Sequence, residues 1–188
     1  MPAIASPYGL LPVNHPSGVI RPFAMTILTG YASNMFQNQP VKITTSGTGE
    51  GTIIAAAAGD AFIGTFQGLE FTDSDGRRRV SNKWTASLAA TDIVAYVTLD
   101  QTITYQIQSD AALAVADIGK QFNTTAASSG SATTGLSSMA LNVASSTTNA
   151  QLRFIGIVPG ADNNFGDTFV NALVQISLHQ NTANIAAY

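Results

Sequence analysis

The stretch Asp92-Ile93-Val94-Ala95-Tyr96-Val97-Thr98-Leu99-Asp100-Gln101-Thr102-Ile103-Thr104-Tyr105-Gln106-Ile107-Gln108 decides the fold class. After Leu99-Asp100-Gln101, polar and apolar residues alternate. Ile103, Tyr105 and Ile107 fall on one face; Thr102, Thr104, Gln106 and Gln108 fall on the other. Period two marks a half-buried strand, because successive side chains point to opposite faces of a sheet. Asp92–Thr98 is an apolar run of strand length, and Leu99-Asp100-Gln101 reads as a short hairpin connection between the two. The pattern recurs outward from there. Toward the C-terminus lie Ser138–Ala144, Gln151–Val158 and Val170–His179, the last with Ala172, Val174, Ile176 and Leu178 alternating with Leu173, Gln175, Ser177 and His179. Toward the N-terminus lie Arg77–Trp84, Ala61–Phe71, Thr52–Ala58, Val41–Thr45 and Val19–Leu28. Phe62, Thr65, Phe66, Leu69 and Phe71 are candidate core residues, and Pro22 makes Val19–Leu28 an edge strand or bulge. Helical turns are expected only at Ala111–Ala116 and Gly30–Phe36. Nine or ten short strands predict an all-β protein: an antiparallel β-sandwich, jelly roll or barrel.

Composition points the same way. The 188 residues include 21 Thr, 16 Ser, 12 Asn and 10 Gln against 2 Glu and 3 Lys. Glu and Lys normally fill the solvent faces of helices, so long amphipathic helices have little to be built from. A surface of neutral hydroxyls and amides suits a protein that lies against other protein in a dense array. The net charge of −3 and pI near 5.1 argue against a protein that coats nucleic acid. No apolar run reaches the ~18 residues that span a bilayer, so no membrane partner is expected. Met1–Tyr8 shows neither a basic start nor an apolar core, so the chain is expected to be made in the cytoplasm. The absence of cysteine excludes a disulfide scaffold, a Cys-ligated metal and a thiol nucleophile.

Five of the seven prolines, Pro2, Pro7, Pro12, Pro16 and Pro22, stand in the first 22 residues. Proline fixes φ and pushes the residue before it toward extended backbone. Residues 1–18 are therefore expected to form an extended arm, and residues 19–188 a single β-domain. Ile4, Tyr8, Leu10, Leu11 and Val13 are too apolar for a solvated tail. The arm packs either on a neighbouring subunit or, as a strand or loop, on its own domain. Thr124–Ser138 is almost wholly Ser, Thr, Ala and Gly, and reads as a long flexible loop.

Chemistry is sparse. Asp73-Ser74-Asp75-Gly76 starts like a calcium loop, but its fifth and twelfth positions are Arg77 and Trp84, so a hairpin tip at Asp75-Gly76 fits better. Gly47–Gly51 lies between strands with no helix to follow, unlike a phosphate loop. His15 and His179 have no acid at helical metal-pair spacing, and no Gly-x-Ser-x-Gly occurs. Asp162–Asp167 offers several oxygens that suit a hard cation or a solvated loop. No catalytic residue, cofactor or metal is assigned, and the chain is not expected to be an enzyme. Arg77, Arg78, Arg79 and Lys83 hold four of the eight basic residues. On a strand they are too sparse for nucleic acid; they guard a solvated edge or meet an acidic partner.

The ordered run Tyr8-Gly-Leu-Leu-Pro-Val, Ser17-Gly-Val-Ile-Arg, Leu69-Glu-Phe-Thr-Asp-Ser-Asp-Gly-Arg-Arg, Val94-Ala-Tyr-Val, Tyr105-Gln-Ile-Gln-Ser-Asp, Asp117-Ile-Gly and Gln151-Leu-Arg-Phe-Ile-Gly covers most of residues 8–180. It resembles a family of small structural proteins of tailed bacteriophages, the head decoration or cement type. The resemblance implies a β-rich protein on the outside of an icosahedral head, in the virion, that clamps neighbouring subunits of the major capsid protein. It carries no catalytic residues. Threefold positions of a capsid lattice favour a trimeric homo-oligomer over a dimer. Ile4, Tyr8, Leu10, Leu11 and Val13 of the arm and Arg77, Arg78 and Arg79 are the expected partner-binding residues. The alternative is a carbohydrate-binding or adhesin-like β-module, which the scatter of Trp84 and the five tyrosines along the sequence weakens.

Overall fold

The computed structural model describes residues 4–45, 47–125 and 130–182. Over them the protein is all-β with antiparallel sheets. In chain order the strands are β1 (Leu11–Asn14), β2 (Pro22–Met25), β3 (Met35–Phe36), β4 (Gln39–Ile43), β5 (Ile53–Ala55), β6 (Gly64–Asp73) and β7 (Arg78–Ser81). There follow β8 (Lys83–Trp84), β9 (Ala90–Thr98), β10 (Thr104–Gln108), β11 (Gln121–Thr124), β12 (Leu141–Thr147), β13 (Leu152–Ile157) and β14 (Asn171–Ile176). A single 3-10 turn, Val115–Asp117, overlaps the first expected helical turn, while the second region ends in β3.

One sheet has the order β1-β10-β14-β13-β11-β12, the other β2-β9-β6-β4-β5 with β7 also on β6, and β3 pairs β8 apart from both. The chain therefore splits near its middle. Strands between residues 22 and 98 build the second sheet and the small pair; those after residue 104, together with β1, build the first. The alternation read in the sequence explains the packing. Ile103, Tyr105 and Ile107 are buried with Leu10, Phe122, Leu152, Phe154, Ala172 and Val174 in one core. Val41, Ile53, Phe66, Leu69, Trp84, Ala95 and Val97 form a second, separate core. Each sheet rolls over its own core. The Ile53 N–H donates to the Thr26 carbonyl at 2.9 Å, joining β5 to the chain beyond β2, and the Asp110 N–H donates to the Leu141 carbonyl at 3.0 Å. The sheets sit in a sandwich-like arrangement. The Thr98 and Tyr105 hydroxyls meet between them at 3.1 Å, and the His179 ring reaches the Ile63 carbonyl at 2.9 Å.

One expectation is overturned. Leu99-Asp100-Gln101 is not a hairpin, because β9 and β10 belong to different sheets. Both edges of β9 are taken by β2 and β6, and both edges of β10 by β1 and β14, so the two cannot pair. The three residues instead carry the chain from one core to the other. Asp100 turns the link by accepting from the Thr102 N–H at 2.8 Å and the Thr102 hydroxyl at 2.6 Å.

Part of the amide content also works inside rather than on the surface. Asn38, Gln39, Gln108, Gln121, Gln151 and Asn163 are buried. A side-chain amide carries a donor and an acceptor like a peptide group, so it can complete a bridge where backbone cannot reach. Gln151 accepts from the Thr124 N–H and hydroxyl, both at 3.0 Å, and donates to the carbonyls of Ala57 and Asp60. It thereby ties the first sheet to the loop after β5. The loop expected at 124–138 falls partly on residues 126–129, which lie outside the described residues. Beyond them the chain is fastened to the link between β3 and β4: the Gln37 N–H donates to the Gly135 carbonyl at 2.9 Å and the Ser137 N–H to the Gln37 carbonyl at 3.0 Å.

Candidate interaction surface

The arginine hairpin is built where the sequence places it. β6 and β7 pair across a turn at Asp73–Gly76, with Gly76 at φ +78°. Its guanidinium groups are directed at the hairpin's own acids. Arg79 meets Asp73 at 2.6 Å and Asp75 at 3.1 Å, Arg78 meets Glu70 at 3.3 Å, and Arg77 lies 3.6 Å from Asp75. The Arg78 guanidinium also donates to the Asp92 carbonyl at 2.7 Å. Glu70 is held below the usual carboxylate range, first by the Tyr96 hydroxyl and then by Arg78. Asp73 is lowered in the same direction, first by the Ser74 N–H and also by Arg79. Three cations thus face Glu70, Asp73 and Asp75, and the hairpin has little net field.

The N-terminal segment wraps its own body. Buried Gln108 grips its backbone, donating to the Ile4 carbonyl at 3.0 Å and accepting from the Ser6 N–H at 2.7 Å, while the Ile4 side chain stays exposed. The Tyr8 hydroxyl donates to Asn171 at 3.0 Å and accepts from Gln106 at 2.6 Å; burial pushes its pKa up to about 12 against the pull of Gln106. Gly9 follows at φ +81°, where a Cβ would stand 2.5 Å from the Asn38 carbonyl oxygen. Leu10 then drops fully buried into the first core. Leu11 and Val13 lie on β1, which pairs only β10. The five apolar arm residues therefore divide. Tyr8 and Leu10 serve the fold, Leu11 is half-buried, and Ile4 and Val13 are exposed.

Between β1 and β2 the chain crosses from the first sheet to the second, and between β9 and β10 it crosses back. These two crossings are pinned together by His15. Its Nδ1 accepts from the Ser17 N–H at 3.1 Å and lies 2.6 Å from the Ser17 hydroxyl; its Nε2 lies 2.9 Å from Asp100. An amide can only donate, so Nδ1 is the acceptor and Nε2 carries the proton given to Asp100. Asp100 is held at about 2, foremost by the Thr102 hydroxyl and N–H and then by His15. Beside this pin lies a cleft of about 400 Å³ lined by His15, Ser17, Val19, Arg21, Phe23, Asp100 and Ile103. His15–Gly18 is a turn, closed by the Gly18 N–H donating to the His15 carbonyl at 2.8 Å with Gly18 at φ +76°; beyond it Val19, Arg21 and Phe23 alternate along one side of the chain. Ile20, on the opposite face, packs against the first core. Val19 and Phe23 are exposed, and β2 pairs only β9. Arg21 has no ion pair or hydrogen bond among the described residues. Sequence reading missed this wall, although the alternation of Val19, Arg21 and Phe23 was available.

Among the described residues, no group of three His, Asp or Glu side chains is placed to hold a metal. In the loop Asp162–Asp167, Asn163 is spent on the backbones of Val158 and Asn171, and Asp167 caps the Asn164 N–H at 2.8 Å. No helix among the described residues is long and apolar enough to cross a membrane. Comparison with models of known families, with curated proteins and with solved structures finds no match to this chain.

Proposed function

We propose that the protein is a decoration, or cement, protein of a tailed-phage head. It binds the major capsid protein on the capsid exterior and stabilises contacts between capsomers, as a symmetric oligomer, a trimer rather than a dimer. Its work is binding and not turnover. The ordered motifs from Tyr8 to Gly156 support this reading from the sequence. The structural observation that carries it is the N-terminal wall, where exposed Val19 and Phe23 and unpaired Arg21 stand on a body fixed by two cores. A rigid body loses little freedom on docking, and many copies on one lattice convert modest single contacts into avidity.

Co-sedimentation of the purified protein with heads stripped of it, beside a glycan array, tests the reading. Saturable occupancy on heads is expected; glycan binding without head binding overturns it in favour of the carbohydrate-binding module. That second reading has less support. Glycan platforms use exposed aromatic rings, whereas Trp84 and Tyr105 are fully buried. The groove of about 300 Å³ at Gln101, Thr102, Arg153, Gln175, Ile176, Ser177 and Thr182 has no aromatic ring in its lining.

A further inference from the structure

We propose that the wall of Val19, Arg21 and Phe23 receives an extended segment of the partner protein with the pattern apolar-x-acidic-x-apolar, laid as an added strand along β2. The inference rests on the binding reading above for its partner and names what that partner must present.

The free edge of β2 supplies the first part of the argument. Pro22, Phe23 and Ala24 are exposed and the strand is paired on one side only. An unpaired edge offers backbone donors and acceptors to an incoming strand. Pro22 removes one N–H, which keeps the contact short and disfavours open-ended pairing.

Side-chain spacing supplies the second. Residues two apart on a strand stand about 7 Å apart on one face, and an added strand repeats that spacing. Facing Val19, Arg21 and Phe23 it must therefore present apolar, acidic and apolar side chains in alternation. A planar guanidinium takes a carboxylate through two parallel hydrogen bonds. Arg21 is the one basic residue without a partner among the described residues. Its neighbours Val19 and Phe23 would exclude water from that pair.

The chain's own sequence argues against a second copy as the occupant. The pattern occurs at Ala58–Phe62, Ala90–Val94 and Phe165–Phe169. In the first, Asp60 is held by Lys42 at 2.7 Å; the second lies in β9, already paired with β6. In the third, Phe165 packs edge-on against Phe154, the Gly166 N–H donates to the Leu113 carbonyl at 2.9 Å and Asp167 accepts from the Asn164 N–H at 2.8 Å. All three are engaged within their own fold.

The test is a labelled, capped seven-residue peptide with Val at its second and sixth positions, Glu at its fourth and Thr elsewhere, titrated with the full chain by fluorescence anisotropy. Saturable binding is expected. Arg21→Glu should weaken it about tenfold or more, because a like-charge contact replaces a favourable one, and a peptide with Arg in place of Glu should recover it. Arg21→Gln serves as the milder variant, with circular dichroism to show that both remain folded. No saturable binding to the native chain, or equal binding by Arg21→Glu, overturns the proposal. So does sedimentation showing that Arg21→Glu abolishes self-association, which would make a second copy the occupant. Head binding separates the two readings. Heads bound by the native chain and equally by Arg21→Glu leave the cement reading and remove this docking site. Peptide binding with charge-swap recovery, but no head binding, keeps the site and removes the cement reading.

Discussion

Two edges of the same sheet, β7 and β2, handle charge in opposite ways. β7 carries the densest charge in the sequence, yet Arg78 and Arg79 are met by Glu70, Asp73 and Asp75 on the adjoining strand and turn. β2 follows a single arginine, and nothing among the described residues meets it. The difference teaches that capacity to bind lies in what folding leaves unmatched. Local sequence supplies the hairpin's counter-charges, because Asp73 and Asp75 stand within six residues of Arg79. Arg21 has no acid among its neighbours from Met1 to Gly49.

The comparison breaks most visibly if the segment leading to β2 is not part of the fold. Leu10→Ala should cost about 2–5 kcal/mol in urea denaturation, as for other large-to-small changes in a core. A loss below about 1 kcal/mol would mean that Leu10 is not packed as described and that residues 4–13 act as a free arm. The same logic applies to the amide that joins the two halves. Gln151→Ala strands the Thr124 N–H and two carbonyls, and should cost about 2–3 kcal/mol, since each buried unsatisfied group costs about 1–3 kcal/mol before water relieves some of them. An unchanged denaturation midpoint would show that the loop after β5 does not depend on it.

Much of this was legible. The period-two runs located most of the long strands and their buried faces, because that alternation is imposed by one-sided burial. Pro22 narrowed its segment to an edge strand or a bulge, and β2 is an edge. The hairpin tip at Asp75-Gly76 followed from turn chemistry. Pairing partners were not legible, since a three-residue link such as Leu99-Asp100-Gln101 can close a hairpin or cross between sheets. Which it does depends on whether distant strands have taken the edges. The short strands β1, β3 and β11 carry too few alternating positions to stand out. The arginine cluster was plain in the sequence, but its neutralisation required the β6–β7 register to bring Glu70 beside Arg78. Arg21 drew no notice because an unpaired residue is defined by what fails to reach it.

Acid sharpens the comparison between the seam and the interior. Asp100 titrates near 2 in the folded chain against about 3.9 unfolded. A depressed carboxylate contributes stability above the unfolded value, and that contribution is lost as pH falls through the folded one. The melting midpoint should therefore drop between about pH 4 and 2, and Asp100→Asn should remove part of that drop. His179 is lowered by burial instead, against the pull of the Ile63 and Leu99 carbonyls. Here the unfolded chain takes the proton first, so stability begins to fall below about pH 6.5. His179→Gln should flatten that earlier decline and leave the later one. A midpoint constant from pH 7 to 5 in the native chain would show that His179 is solvated.

The smallest effect is expected where the sequence is loudest. Replacing Arg77, Arg78 and Arg79 together by Gln removes three exposed cations and leaves Glu70, Asp73 and Asp75 facing one another. Exposed ion pairs are worth about 0–1 kcal/mol each, and the hairpin turn is also set by backbone bonds from Asp73 to Arg77 and from Gly76 to Asp73. The denaturation midpoint should therefore shift only slightly at low salt and by less at 1 M, where the Debye length is about 3 Å. Head occupancy should stay near that of the native chain, because these cations have no charge to spare for a partner. Arg21→Glu should do the reverse, leaving the denaturation midpoint in place and lowering occupancy. If the triple variant instead loses occupancy at low salt, the hairpin opens its ion pairs on binding. The contrast between β7 and β2 would then hold for the free protein alone.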